Sequence, residues 1–136
     1  MVCPEEAVRL LDGVHVLVVD DEALPRALFH DVLELAGARV TVAASAREAL
    51  ESIERDVPDV VVSDIMMPHQ DGYWLIAALE AVRARTGGRP RAVAITGDPR
   101  RHSPERTRQA GFDAHLTKPM GVDELSAAVA SLAGRF

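Results

Sequence analysis

Five short apolar runs are spaced along the chain, and segments with helical periodicity lie between them. Most of these runs are nearly continuous and rich in β-branched valine, which is typical of strands buried on both faces of a parallel sheet. The runs are Val14–Val19, Ala38–Ala44, Val60–Val62, Ala92–Ile95 and Ala114–Leu116. Strands and helices that alternate in this way predict an α/β fold with helices on both faces of the sheet.

Apolar residues at helical spacing mark four of the five predicted helices. Such a stripe is the face by which a helix packs on a core. Gly37 ends the first helix at a position that favours positive φ, and Ser45 is predicted to cap the N-terminus of the second. The stripes comprise Leu24, Leu28, Val32 and Leu35 in the first helix, Ala46, Leu50 and Ile53 in the second, Leu75, Ala78, Leu79 and Val82 in the third, and Val122, Leu125, Val129 and Leu132 in the last.

The predicted fourth helix is different, because residues 98–109 contain no large apolar side chain. A helix in a protein depends on the burial of one face, so this segment is predicted to be short or mobile. It carries Arg100, Arg101, Arg106 and Arg108. These arginines are predicted to face solvent, and the alternative is that they form a docking surface.

Composition and charge narrow the class of protein. A chain of 136 residues is one ordinary domain, and 48% hydrophobic with 26% charged residues is typical of a folded globular protein. The formal net charge of −6 argues against the basic face that a nucleic-acid binder needs. No apolar run approaches the roughly 20 residues that span a bilayer, and the acidic start of the chain lacks a signal-peptide pattern. Cys3 is the only cysteine, so no disulfide forms within the chain, and we expect a cytoplasmic protein.

Polar side chains follow four of the predicted strands at the points where the strands end. Asp20 and Asp21 follow the first strand, Asp64 the third, Thr96 the fourth and Lys118 the fifth. Ligands of open parallel sheets bind outside the carboxyl ends of the strands. We therefore expect three carboxylates, a hydroxyl and an ammonium group to converge on one edge of the sheet.

Together these groups predict phosphoryl transfer to a carboxylate. Three neighbouring carboxylates repel one another and need a cation to remain ionised, and oxygen ligands without His or Cys select Mg²⁺ over Zn²⁺. Mg²⁺ uses one or two carboxylates, which leaves one carboxylate free to attack as a nucleophile and form an acyl phosphate. Lys118, Thr96 and the metal would then neutralise the phosphoryl oxygens.

Four motifs, in the same order along the chain, resemble the response-regulator receiver family of two-component signalling. They are LVVDDE, VVVSDIMMPHQDG, AITG and HLTKP. The resemblance covers residues 13–134, the predicted receiver domain, and residues 1–12 are predicted to be a leading helix or linker outside the core. It implies a flavodoxin-like, doubly wound sheet of five parallel strands in the order 2-1-3-4-5.

Carried over position by position, the resemblance makes Asp64 the phosphoacceptor. The implied ligands of Mg²⁺ are Asp20, Asp21, Asp64 and the backbone carbonyl of Met66. Thr96 is implied to hydrogen-bond the phosphoryl group, and Lys118 is implied to pair with it. The peptide bond between Lys118 and Pro119 is implied to be cis, which also suits a tight turn at an active site.

The chain departs from the family pattern at His115, where Tyr or Phe is usual. The resemblance implies that Thr96 and His115 form the switch, with His115 moving inward when Thr96 moves toward the phosphoryl group. A titratable switch residue predicts a pH dependence of the switch. The alternative is a half-buried strand histidine without a special role.

The resemblance implies a signalling module that catalyses only its own phosphorylation and dephosphorylation. Its implied partners are a histidine kinase or histidine phosphotransfer protein as donor and a protein effector downstream, without direct contact to nucleic acid or membrane. The polar fourth helix argues against a broad apolar dimer interface and favours a monomer or weak dimer. Trp74 lies beside the stripe of the third helix, where it is either an exposed anchor for a partner or partly packed against a neighbouring loop.

Two other classes of α/β protein share part of this pattern. A flavodoxin-type cofactor binder needs a hydroxyl- or glycine-rich phosphate loop after the first strand, where this chain has DDEALPR. A phosphatase of the haloacid dehalogenase type needs a second acid two residues after the nucleophile, where this chain has Met66. Within the receiver family, a stand-alone response regulator and a receiver excised from a hybrid histidine kinase both remain open.

Overall fold

The computed structural model describes residues 10–135, in which five strands alternate with five helices. In chain order the elements are β1 (His15–Val19), α1 (Ala23–Leu35), β2 (Arg39–Ala43), α2 (Ala46–Arg55), β3 (Val60–Asp64), α3 (Gly72–Thr86), β4 (Arg91–Thr96), α4 (Pro104–Ala110), β5 (Ala114–Thr117) and α5 (Val122–Leu132). Among the helices of this range, none has the combined length and apolar character that crossing a bilayer requires. Each predicted strand overlaps one of the five observed strands.

The five strands form one parallel sheet in the order β2-β1-β3-β4-β5, which confirms the predicted flavodoxin-like, doubly wound architecture. Every residue of the central strands β1 and β3 is buried, whereas the edge strands β2 and β5 are partly exposed. Continuous valine-rich runs therefore occupy the positions that are covered on both faces. The carboxyl ends of all five strands lie at one edge of the sheet.

Two hydrophobic clusters cover the two faces of the sheet, and alternate residues of each strand supply them. Val16 and Val18 of β1 belong to the first cluster, while Leu17 and Val19 belong to the second. The first cluster takes its helical side chains from α1 and α5, and the second takes them from α2 and α3. These helical members are Phe29, Leu33, Leu125 and Val129 in the first cluster and Ala46, Ile53, Leu75 and Leu79 in the second.

The predicted buried stripe of α1 is wrong for three of its four residues, and Val32 is the member that packs against the first cluster. Leu24, Leu28 and Leu35 are 82%, 57% and 69% exposed, whereas Phe29 and Leu33 face the core. The helix carries two apolar stripes side by side, about 100–140° apart, because Phe29 and Leu33 follow Leu28 by one and five residues. Full burial of a Phe or Leu side chain contributes about 1.5–3 kcal/mol, and the sheet accommodates the stripe that contains the larger ring. A row of leucines is thereby left at the surface of α1.

The start of the domain lies earlier than the predicted boundary at residue 13. Leu11 is completely buried in the first cluster, and its backbone N–H donates to the carbonyl of Ala36 over 2.8 Å. Leu10 packs against the same cluster. Leu10 and Leu11 therefore belong to the core rather than to an external linker, and residues 1–9 of the predicted leading segment lie outside the described residues.

Helix α4 is short, as predicted, with seven residues. Its Ser103 N-cap accepts a hydrogen bond from the N–H of Arg106, and Pro104 occupies the first turn. The only buried residue of the helix is Thr107, whose side chain is polar. The helix buries little apolar surface, which is consistent with the prediction that it is mobile. Its mobility stays a prediction.

Candidate functional site

Three carboxylates meet at the carboxyl edge of the sheet because β1 and β3 are neighbours. Asp20 and Asp21 follow β1 directly and Asp64 is the last residue of β3. Carboxylate oxygens of the three residues lie within 4.8 Å of one another. Asp20 is 1% exposed and Asp64 is 7% exposed, while Asp21 is the most exposed of the three. The predicted convergence of these acids is therefore present in the fold.

Lys118 brings a positive charge to this cluster from the end of β5. Its Nζ lies 3.3 Å from Oδ2 of Asp64 and 3.7 Å from Oδ2 of Asp20. The backbone N–H of Lys118 donates to the carbonyl of Thr96 over 2.8 Å, which ties the β5 end to the β4 end. The peptide bond from Lys118 to Pro119 is cis, in agreement with the resemblance.

Thr96 is completely buried at the end of β4. Its Oγ1 accepts a hydrogen bond of 3.0 Å from the N–H of Asp98. The Oδ1 of Asp98 accepts in turn from the N–H of Arg101 over 3.2 Å. The threonine hydroxyl thus holds the loop that leads into α4, so a movement of Thr96 toward a new hydrogen-bond acceptor would be transmitted to that loop.

The loop after β3 approaches Asp64 closely. The N–H of Met66 donates to Asp64 Oδ1 over 3.3 Å, while the side chain of Met66 is half exposed. Asp71 caps α3 through the N–H of Trp74, and the N–H of Gly72 donates to the carbonyl of Ile65. These bonds place the N-terminus of α3 directly against the strand end that carries Asp64.

Burial raises the pKa of Asp64 above its ordinary value, and the nearby charge of Asp20 raises this pKa further. Lys118 and the N–H of Met66 act in the opposite direction, because they stabilise the ionised form. Two neighbouring buried carboxylates therefore share one ammonium group. The cluster carries more negative charge than its own cations balance.

The donor set fits a hard divalent cation. All side-chain donors are carboxylate oxygens, which select Mg²⁺ rather than a softer metal. Oδ2 of Asp20 is buried and has no hydrogen-bond partner within residues 10–135. Its ion-pair contact of 3.7 Å with Lys118 is shared with Asp64. Because a buried charge that is only partly balanced is costly, a cation bound between Asp20, Asp21 and Asp64 would supply the remaining charge balance.

His115 lies on β5 and faces α4 rather than Thr96. Its Nδ1 is 3.0 Å from Oγ1 of Thr107, and that hydroxyl donates to the carbonyl of Pro104 over 3.2 Å. Since the hydroxyl proton is used on Pro104, we assign the tautomer in which Nδ1–H of His115 donates to Thr107. Burial lowers the pKa of His115, with the charge of Glu105 raising it in part. The residue at the predicted switch position therefore ties β5 to α4.

Sequence reasoning missed two arrangements next to the site. Nη1 of Arg26 donates to the backbone carbonyl of Asp20 over 2.9 Å. The hydroxyl of Tyr73 is 3.0 Å from Nδ1 of the buried His102, and the guanidinium of Arg106 lies 5.3 Å from the centroid of the Tyr73 ring. No motif marks these contacts, because an arginine on a carbonyl and a tyrosine on a histidine have no fixed spacing along a chain.

Trp74 is half-buried and packs against the second hydrophobic cluster. The guanidinium of Arg47, at the start of α2, lies 5.9 Å from the ring centroid. This arrangement matches the predicted partial packing, although the neighbouring element is a helix rather than a loop. Trp74 is therefore part of the contact between α2 and α3.

An apolar groove of about 440 Å³ lies beside Lys118. One wall is α1 and the other is the segment that follows β5. The groove is lined by Leu24, Pro25, Leu28, Phe29, Lys118, Pro119 and Met120. Leu24 and Leu28 thus line a groove beside Lys118 instead of packing on the sheet.

Comparison with known families gives a match to the response regulator receiver domain over residues 16–130. The chain is 38% identical over 117 residues to the uncharacterized 14.6 kDa protein in the sodA1 3′ region of Leptolyngbya boryana, with 86% of this chain and 88% of that protein covered. It is 37% identical to response regulator Rre1 of Synechocystis over 93% of this chain, which is 54% of that protein. It is 31% identical to sensor histidine kinase RcsC of Salmonella typhi over 91% of this chain, but that match covers only 13% of the kinase.

Solved structures with the same fold include the receiver domain of the Francisella response regulator 1452. The TM-score is 0.80 at 31% identity, with 90% of this chain and 98% of that domain covered. The chemotaxis protein CheY4 of Vibrio cholerae gives a TM-score of 0.77 at 27% identity, over 88% of this chain and 98% of that protein. With its sheet order, its carboxylate cluster and these similarities taken together, the chain belongs to the response regulator receiver domain family of two-component systems.

Proposed function

We propose that this receiver domain accepts a phosphoryl group on Asp64 from a phosphorylated histidine of a kinase or phosphotransfer protein. The observation that carries the proposal is the pairing of a buried carboxylate with Lys118, 3.3 Å away, beside two further acids. A carboxylate so placed is a nucleophile for phosphoryl transfer. Lys118 is close enough to balance charge on the incoming group without occupying both oxygens of Asp64.

In the proposed reaction an oxygen of Asp64 bonds to phosphorus as the phosphorus–nitrogen bond of the donor breaks. The N–H of Met66 holds one oxygen of Asp64 and Lys118 faces the other, so the carboxylate is oriented before the donor arrives. Lys118 and the hydroxyl of Thr96 would bind the phosphoryl oxygens afterwards. Catalysis is then confined to positioning and charge balance, and the domain turns over no external substrate.

Mg²⁺ is proposed as the required cation, held by Asp20, Asp21, Asp64 and the backbone carbonyl of Met66. When bound, it would supply the charge neutralisation that a dianionic phosphoryl group needs among carboxylates. Two observations support this choice: Oδ2 of Asp20 has no hydrogen-bond partner among the described residues, and the donor set consists of oxygens. The acids of this chain would have the further task of excluding phosphate until a cation is present.

The output is proposed to pass through Thr96 and the β4–α4 loop to α4. Thr96 would move its hydroxyl to donate to the phosphoryl group and would then no longer accept from the N–H of Asp98, which frees the loop. The contact between His115 and Thr107 would then change with the position of α4. A protein effector that recognises α4 and β5 would sense the change.

The phosphoryl donor is proposed to dock on the apolar groove between α1 and residues 118–120. Leu24 and Leu28 are largely exposed there, directly beside Lys118. Exposed leucines at one-turn spacing suit the packing of a helix from the donor. The sensor histidine kinase RcsC among the relatives supports a donor of that class. The domain is either a stand-alone regulator or a receiver within a hybrid kinase. The cytoplasmic location stays a prediction.

The test is intact mass after incubation of the protein with Mg²⁺ and acetyl phosphate, beside an Asp64→Asn variant. We expect the mass to rise by one phosphoryl group in the parent, with no rise in the variant or with excess chelator. Phosphorylation of the variant would disprove the assignment of Asp64. No phosphorylation of the parent calls for a repeat with a phosphorylated histidine kinase, and failure with both donors would refute the proposed function.

A further inference from the structure

We propose that Arg26 is a positioning residue for the metal-binding carboxylates, an inference that rests on the proposed function. Arg26 lies in the first turn of α1 and is half-buried, five residues after Asp21. Its guanidinium Nη1 donates to the backbone carbonyl oxygen of Asp20 over 2.9 Å. The contact therefore acts on the main chain between the two adjacent acids and leaves their carboxylates untouched.

The carbonyl of Asp20 needs such a donor because the chain leaves the sheet at this residue. The N–H of Asp20 still bonds to the carbonyl of Ala43 on β2 over 3.2 Å, but β1 ends at Val19. A carbonyl that leaves the ladder next to a buried side chain must find another partner, since an unpaired buried backbone group is costly. Arg26 provides that partner and so fixes the plane of the peptide bond between Asp20 and Asp21.

The remaining polar atoms of Asp20 show how complete this fixation is. Oδ1 accepts from the N–H of Glu22 over 2.9 Å, so the N–H, the carbonyl and one carboxylate oxygen are all held. Oδ2 alone has no hydrogen-bond partner in the part of the chain that the structure describes. This oxygen, which lies 3.7 Å from Nζ of Lys118, is thus left to bind a cation, in an orientation set by three hydrogen bonds to the protein.

Arg26 also connects this loop to a rigid element. Its backbone N–H donates to the carbonyl of Glu22 over 3.2 Å, which begins the hydrogen-bond ladder of α1. The helix itself is fixed on the sheet by Phe29 and Leu33. Both the main chain and the side chain of Arg26 therefore hold residues 20–22 to a helix that the core immobilises.

The charge of Arg26 and its hydrogen bond have opposite expected effects on a bound dication. A guanidinium near the site repels Mg²⁺, so the charge alone predicts that its removal tightens binding. Loss of the hydrogen bond frees the Asp20 peptide and predicts weaker binding, in the way that loss of an outer partner of a metal ligand commonly does. The direction of the change in affinity therefore separates a positioning role from a simple charge.

The experiment is calorimetric titration of the metal-free protein with Mg²⁺, for the parent, Arg26→Met and Arg85→Met. Arg85 lies in the last turn of α3, at the opposite edge of the sheet, so its substitution removes the same charge far from the site. We expect Arg26→Met to weaken Mg²⁺ binding by roughly tenfold or more. Arg85→Met should leave the affinity within about twofold of the parent, because solvent screens a distant surface charge. Equal or tighter binding by Arg26→Met would overturn the proposal.

A second variant and a folding control complete the test. Arg26→Lys keeps the positive charge but shortens and narrows the donor, so any weakening of Mg²⁺ binding reports hydrogen-bond geometry alone. We expect its affinity to fall between those of the parent and Arg26→Met, and parental affinity in both variants would overturn the inference. Urea unfolding in chelator identifies a variant that is merely unfolded. Absence of Mg²⁺ binding by the parent would instead contradict the proposed function, so the two failures are distinguishable.

Discussion

Gly72 packs directly against the main chain of Asp64, since a Cβ atom at residue 72 would lie 2.8 Å from the carbonyl oxygen of Asp64. The same atom would lie 2.9 Å from Cα of Ile65. Both neighbours are backbone atoms at the end of β3, which a side-chain rotation cannot move away. The absence of a side chain at this glycine is therefore what allows α3 to begin against the candidate phosphoacceptor.

Gly72→Ala is expected to destabilise the fold and to displace Asp64. Overpacking of this kind costs about 1–3 kcal/mol, and the shift of the β3 end should slow phosphorylation by acetyl phosphate. Urea unfolding and the rate of mass gain measure the two effects. Gly88→Ala is the matched control, because a Cβ at that position would have no atom of the described residues within 4 Å, apart from its own residue and its chain neighbours. A Gly72→Ala protein with parental stability and rate would contradict the steric argument.

Asp20→Asn is expected to stabilise the protein when Mg²⁺ is removed by chelator. Asp20 is almost completely buried and adds to the negative charge around Asp64. Its 3.7 Å contact with Lys118 is longer than the 3.3 Å contact that Lys118 makes with Asp64, so Lys118 keeps a partner in the variant. Removal of this charge should raise the free energy of unfolding by about 1 kcal/mol or more. Added Mg²⁺ should then stabilise the parent but not the variant. Urea unfolding with and without Mg²⁺ tests both statements, and a less stable variant in chelator would show that the acid cluster is not strained by its charge.

Thr107→Val is expected to release α4 without changing its packing volume. The substitution removes the hydroxyl that accepts from His115, and loss of such a bond costs about 0.5–1.5 kcal/mol, with a further penalty if the imidazole N–H stays buried. Hydrogen exchange of residues 104–110 should become faster in the unphosphorylated protein. Thr107→Ser keeps the hydroxyl and should exchange like the parent, whereas equal exchange in all three proteins would argue against a link between β5 and α4.

His15 is expected to make stability depend on pH below neutrality. It is 6% exposed at the start of β1, and burial followed by the charge of Arg39 lowers its pKa below the ordinary 6.5, while Asp56 and Asp59 partly oppose this. The folded state thus favours the neutral ring, so the stabilising contribution is complete above pH 6.5 and is lost as the pH falls below that value. Burial lowers the pKa of His102 and His115 in the same direction.

The measurement is the free energy of unfolding of the parent and of His15→Gln between pH 5 and 8. The difference between the two proteins at pH 8 reports packing and the hydrogen bond of the ring to Thr41. This difference should narrow as the pH falls below 6.5, because only the parent has a side chain at residue 15 that binds a proton more readily in the unfolded chain than in the folded one. A difference that stays constant over the whole range would show that His15 titrates equally in the folded and unfolded chains.

Leu24→Ser together with Leu28→Ser is expected to weaken transfer from a protein donor without weakening transfer from acetyl phosphate. Both side chains are largely exposed beside Lys118, so their loss removes a docking surface and little core. The ratio of the two phosphorylation rates, with a phosphorylated histidine kinase and with acetyl phosphate, measures the effect. A Leu35→Ser control alters an exposed leucine that does not line the groove. An equal fall of the rate ratio in that control would show that the groove is not the docking site of the donor.

The parallel sheet and the meeting of its acids could be predicted because valine-rich runs end in charged residues, whereas the order of the strands was implied by the resemblance to the receiver family. Each such run needs burial on two faces, and parallel strands present their ends at one edge. The rotation of α1 could not be predicted in the same way, since two apolar stripes compete and only the shape of the sheet selects Phe29 and Leu33. The role of Arg26 could not be predicted either, because its partner is a backbone carbonyl, a group that every residue possesses.

His115 shows the same limit in the site itself. Its position three residues before Lys118 marks it by resemblance, but its partner on α4 depends on how a short polar helix lies against β5. The sequence also leaves the exposure of Trp74 open, because an aromatic side chain beside a stripe either packs or faces solvent, depending on the neighbouring helix. Patterns along the chain therefore predict which face of an element is apolar, whereas the choice between polar partners is made in three dimensions.

The weak anchoring of α4 has a consequence for how the protein responds to its signal. A helix that buries one threonine is held largely by hydrogen bonds, each worth about 1 kcal/mol. Two arrangements of such a helix differ by little free energy, and a gap of about 1–3 kcal/mol leaves the minor one populated at the per cent level. We therefore expect some basal output before any phosphoryl transfer. Phosphorylation would then shift the populations of two arrangements of α4 that already exist in the unphosphorylated protein.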